Sequence, residues 1–123
     1  MRKADYLETL DTFTRQYLET LLWSECDEEG EPLDSRFSVD DFTLAALKSC
    51  AGDCRDFQRA QAADLAAAGD KSQNGHDFAL TRNRHGAGFW DRGYGDVGQR
   101  LTAACRPYGP ANLYAYRGRV YVG

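Results

Sequence analysis

Apolar residues at Tyr6, Leu10, Phe13, Tyr17 and Leu21 recur every three or four positions. That spacing lines one side of an α-helix and neither side of a strand. Leu7, Leu18, Leu22 and Trp23 widen the stripe, so the predicted helix must bury a broad face and ends near Ser24. A second helix is predicted to start at Ser38, whose hydroxyl can accept an amide hydrogen bond while Asp40 and Asp41 suit the positive end of the helix dipole. Its apolar positions are Leu44, Leu47, Ala51, Cys54, Phe57 and Leu65. It reads as one long helix, or as two with a bend at Ser49–Gly52. Residues 69–75, GDKSQNG, read as a polar linker.

After the linker the period changes. Residues 77–82 alternate, with Phe78 and Leu80 on one face, and 83–86 form a turn before a returning strand over 87–90. Asp96 can cap a short helix over 97–106, whose apolar face is Val97, Leu101, Ala104 and Cys105 and which Pro107 stops. A second hairpin closes the sequence: 113–116, the turn Arg117–Gly118, and 119–122. The predicted architecture is a single α+β domain over 1–123. Two N-terminal helices precede strand-strand-helix-strand-strand, and the helices cover a small antiparallel sheet. Its predicted core joins Phe78, Leu80, Phe89 and Trp90 to Leu10, Phe13, Tyr17, Leu47, Phe57, Leu101 and Val120.

The two parts differ in charge. Residues 1–70 hold sixteen acidic and seven basic side chains, whereas 71–123 hold three acidic and eight basic, within a net charge of −4. Either the halves attract each other, or each face meets a different partner. The overall negative charge weighs against direct nucleic-acid binding by the basic half, which would show as strong salt dependence. Six carboxylates (Glu25, Asp27, Glu28, Glu29, Glu31 and Asp34) crowd one loop that contains no base. The ligand order of an EF-hand is missing. The loop reads as solvated, with a phosphate-mimicking surface or a loose Ca²⁺ site as alternatives.

Cys26, Cys50, Cys54 and Cys105 contain no CxxC pair, and neither His lies at a zinc-finger spacing. Free thiols are expected, with no metal and no cofactor. No apolar run is long enough for a membrane span, and the N-terminal residues do not read as a secretory signal, so a cytoplasmic location is expected.

The densest chemistry lies in NGHDFALTRNRHGAGFWDRG, residues 74–93. His76, His85 and Asp91 are candidate catalytic residues, because imidazoles titrate near neutrality and a carboxylate can orient them. Arg82, Asn83 and Arg84 are candidates for gripping a phosphate. No nucleophile elbow, Walker loop or HExxH motif accompanies them. The same residue types also satisfy the backbone of a tight hairpin. Phe89, Trp90, Tyr94, Tyr114 and Tyr116 could stack bases or pack a small core.

GHDFALTRN (75–83) with HGAGFWD (85–91) resembles the signature of a family of small proteins of bacteriophages and other mobile elements. LW (22–23), GEPLD (30–34) and VDDF (39–42) extend the resemblance over about Tyr17 to Val122. The chain departs from that pattern at Ala79, where a bulky aromatic is expected, and at Arg84, where a Gly is expected. The resemblance implies a genomic setting and no activity. It leads to an expected accessory protein that binds and inhibits a host bacterial protein, as anti-CRISPR or anti-restriction proteins do. In that role the acidic residues Glu25 to Asp34 would occupy a basic groove. The alternative is a small enzyme or ligand-binding protein acting on a phosphate-bearing nucleotide or nucleic acid through the His/Arg/Asp segment.

Overall fold

A computed structural model describes residues 2–123, and it is largely helical. Helices α1 (Lys3–Glu8), α2 (Thr12–Ser24), α3 (Leu44–Ala60), α4 (Ala62–Ala68), α5 (Lys71–Arg82) and α6 (Asp96–Cys105) precede one hairpin, β1 (Leu113–Tyr116) and β2 (Arg119–Val122). Single 3₁₀ turns lie at Leu33–Ser35, Val39–Asp41, Phe89–Asp91 and Arg106–Tyr108.

The expected four-stranded sheet is therefore wrong. Residues 77–82 are the end of α5, and the returning strand at 87–90 is loop and a 3₁₀ turn. Helix α5 begins where a linker was expected, because the Asp70 carboxylate caps it by accepting from the Gln73 amide at 2.8 Å. Its buried residues are Asn74, Gly75, Asp77, Phe78, Ala79, Leu80 and Arg82. Three of these are polar or charged, so the inward stripe is not an apolar stripe, and Phe78 with Leu80 mimics a period of two.

The other helices also divide differently. Asp11 accepts from the Thr14 amide at 2.9 Å, so the first predicted helix breaks into α1 and α2. The second breaks at Gln61 and not at Ser49–Gly52. Ser38 starts only a 3₁₀ turn, its amide donating to the Asp41 carboxylate at 2.9 Å, and Thr43 caps α3. Helix α6 lies within one residue of its expected span, but Asp96 is its first residue and not its cap, Gly95 holding that position without a side-chain hydrogen bond. The C-terminal hairpin lies where the sequence places it. Arg117 and Gly118 both take positive φ (50° and 78°), as a two-residue hairpin turn requires.

The core forms around α2 and α5. Tyr17, Phe13, Phe57, Phe78 and Phe89 are all but fully buried, and the Phe57 and Phe78 rings stack at 4.1 Å. The helices can approach because position 75 is Gly: a β-carbon there would stand 2.1 Å from the Phe13 carbonyl oxygen. Strand β2 joins this body through Thr43, whose amide donates to the Val120 carbonyl at 3.0 Å. Trp90 is not in the core as expected; it is 57% exposed, while its neighbour Phe89 is buried. Leu10 only flanks the core.

Candidate functional site

The sequence-predicted site residues lie in different environments. Arg82 is committed to the interior, with its side chain 5% exposed. Its guanidinium donates to the Tyr17 hydroxyl and Gly109 carbonyl (both 2.9 Å), the Asp53 carboxylate (2.8 Å) and the Tyr108 carbonyl (3.0 Å). Asn83 imitates a strand partner: its amide donates to the Ala111 carbonyl at 3.1 Å and its oxygen accepts the Ala111 amide at 2.6 Å. These two residues tie α5 to the segment before β1, so the expectation that they grip a ligand is corrected. Arg84 is exposed, in the left-handed backbone region (φ 58°).

The catalytic candidates do not converge. His76 Nδ1 lies 2.8 Å from the Thr20 hydroxyl, and its ring packs 5.9 Å from Trp23. Burial lowers this imidazole below its ordinary value, opposed by the Asp77 carboxylate and assisted by the Arg92 guanidinium. Asp77 itself is fully buried and receives Arg92 through both carboxylate oxygens, at 2.8 to 3.2 Å. His85 meets Glu25 instead, at 3.2 Å. The two imidazoles line different clefts, and Asp91 is exposed on the Phe89–Asp91 turn.

The acidic loop is ordered by one of its own carboxylates. Asp27 accepts the amides of Glu29 (2.9 Å) and Glu31 (3.0 Å), and its own amide donates to the Glu31 carbonyl at 2.8 Å. Gly30 turns the chain at φ 85°. Spending Asp27 on the backbone leaves Glu28, Glu29, Glu31 and Asp34 exposed, while Glu25 is turned towards His85. No group of three His, Cys, Asp or Glu that could hold a metal comes together among the described residues.

Two adjoining clefts flank this loop. The first, about 500 Å³, lies between α2, the start of α5 and the 34–40 segment, where Glu19, Asp34 and Asp40 surround Trp23 and His76. The second, about 430 Å³, separates the loop from β1 and is bounded by Glu28, Glu29, Tyr114 and Tyr116. Phe37 lines both, so the two clefts adjoin. Trp23 in the first and Tyr114 and Tyr116 in the second are each more than half exposed. Three cations temper the charge: Lys3 donates to the Asp40 carbonyl, Arg36 pairs with Asp27 at 3.9 Å, and Arg117 lines the second cleft with its guanidinium 5.2 Å over the Tyr116 ring.

Sequence reasoning missed the importance of Trp23, read as part of the buried stripe. Its available signal was position, since it lies at the end of α2, one residue before the helix stops. No family model, curated protein or solved structure matches the chain. No helix of the described residues is long and apolar enough to cross a membrane.

Proposed function

We propose that the protein is a binding protein whose acidic, aromatic face docks onto a basic groove of another protein and blocks it. The supporting observation is that two clefts adjoining at Phe37 pair exposed aromatics with carboxylates, Trp23 with Glu19, Asp34 and Asp40 in one and Tyr114 and Tyr116 with Glu28 and Glu29 in the other. Aromatic anchors provide interface affinity, and surrounding charges speed encounter with an oppositely charged partner. A groove built for nucleic acid has the complementary sign. With the resemblance to mobile-element proteins, this favours a bacterial defence protein as the partner and inhibition as the outcome.

The test is direct binding to purified bacterial defence nucleases, with and without competing DNA. The expected result is DNA-competitive binding that Trp23→Ala weakens about tenfold or more, the cost of removing an aromatic anchor. Replacing Glu28, Glu29 and Glu31 by Gln should leave melting unchanged, slow association and make binding less salt-sensitive. Failure to bind any such protein, with unchanged phage plating on expressing cells, overturns the reading.

A further inference from the structure

On the opposite side of the charge balance, a separate cleft of about 360 Å³ opens beside the C-terminal end of α5, lined by Thr81, Arg84, His85, Trp90 and Arg106 among others. It shares no residue with the acidic face. Three neighbouring arginines are spent on carboxylates: Arg82 on Asp53, Arg92 on Asp77 and Arg100 on Asp64. Arg84 and Arg106 are not: among the described residues neither has a carboxylate within ion-pair distance.

Trp90 lines the same cleft, 57% exposed yet held by its neighbour. The buried Phe89 donates its amide to the Thr81 hydroxyl at 3.1 Å, which fixes the turn that presents the indole. Gly88 permits this, since a β-carbon there would stand 2.2 Å from that hydroxyl oxygen. Arg84 takes its positive φ of 58° where it closes off α5, its amide donating to the Thr81 carbonyl at 3.1 Å and the next amide, of His85, to the Leu80 carbonyl at 2.9 Å. The helix end thus sets its backbone and leaves its side chain exposed at the cleft.

We infer that this cleft binds a nucleoside monophosphate unit, with the base on Trp90 and the phosphate between Arg84 and Arg106. Guanidinium groups suit phosphate oxygens through bidentate hydrogen bonds, and an exposed indole offers a stacking surface that any base can use. Glu25, which pairs with His85, and Asp91, next to Trp90, oppose further negative charge. The site therefore holds one phosphate better than a triphosphate. The same unit is found in a free nucleotide and in a single strand.

Isothermal titration calorimetry on the intact protein decides the matter, using AMP, adenosine, and a short oligoadenylate without terminal phosphates. The expected result is saturable AMP binding at or below about 1 mM, with adenosine about tenfold weaker. Arg84→Asn, which keeps a residue tolerant of positive φ, and Arg106→Gln should each weaken AMP about fivefold or more, as loss of a charge-assisted bond requires. Trp90→Ala should weaken AMP and adenosine alike. Tighter binding of the oligoadenylate than of AMP identifies a strand as the source. Absence of heat with both AMP and the oligoadenylate, or AMP binding unaffected by the arginine variants while their circular dichroism is native, overturns the inference. The Glu28/Glu29/Glu31 variant should bind AMP as the parent does, so this test is independent of the acidic face.

Discussion

Gly75 on α5 abuts the backbone of Phe13 on α2, leaving no room for even one methyl group: the added carbon would meet oxygen at 2.1 Å and carbonyl carbon at 2.9 Å. Helix propensity alone favours Ala over Gly by about 1 kcal/mol. Here the sign reverses, because the obstacle is backbone and cannot swing aside. Gly75→Ala is expected to destabilise the protein by about 1–3 kcal/mol, the range for overpacking a core, in denaturant titration. A gain in stability would show that α2 and α5 are further apart.

Arg82 and Trp90 make a contrasting pair. Removing the Arg82 side chain strands the Tyr17 hydroxyl and two carbonyls in a buried region, and Arg82→Ala should cost about 3–5 kcal/mol. Trp90→Ala should change stability by no more than about 1 kcal/mol, since the indole is mostly in solvent. Equal losses for the two variants in chemical denaturation would refute the assignment of one to the interior and the other to the surface.

His76 supplies a pH dependence. Burial depresses its folded-state value, so between that value and the ordinary value near 6.5 the unfolded chain binds the proton and the folded protein does not. Stability is fully present above the unfolded value and falls as pH drops through this interval. The denaturation midpoint should decrease between about pH 7.5 and 5.5, and less steeply in His76→Gln. Identical slopes for variant and parent would place the titration elsewhere.

Thiol reactivity divides the cysteines. Burial raises the Cys50 and Cys105 thiols to about 12, against the nearby Arg82 charge, and raises Cys54 well above its ordinary value. All three are buried, whereas Cys26 is exposed at the start of the acidic loop. A thiol reagent at neutral pH should modify one cysteine rapidly, identified as Cys26 by mass spectrometry, and the remaining three only on unfolding. Rapid modification of two or more in the folded protein would contradict this packing.

The parts legible in the sequence were those with one dominant local signal. Helix α6 combines an apolar face at Leu101 and Cys105 with Pro107 just beyond it, and the C-terminal hairpin has the Arg117–Gly118 turn. Helix α5 was illegible because its inward face carries Asn74, Asp77 and Arg82, whose partners come from elsewhere in the chain: Leu65, Arg92, and Tyr17 with Asp53. Hydrophobic periodicity cannot reveal a buried face made of pairs that exist only after folding. For the same reason Arg82 and Asn83 looked like ligand contacts. The acidic loop was legible as a concentration of charge, but not its internal division of labour, in which Asp27 is the loop's scaffold.

The bond from the Thr43 amide to the Val120 carbonyl joins the chain's first half to its last strand, and Phe42 bridges to Val120 beside it. During synthesis, then, the strip around Phe42 must wait for residue 120 before it is covered. Until that moment a nascent chain carries an unsealed seam, open to chaperones or to a neighbouring nascent copy. Growth conditions that slow elongation ahead of the codon for residue 120 should thus affect yield more than stability.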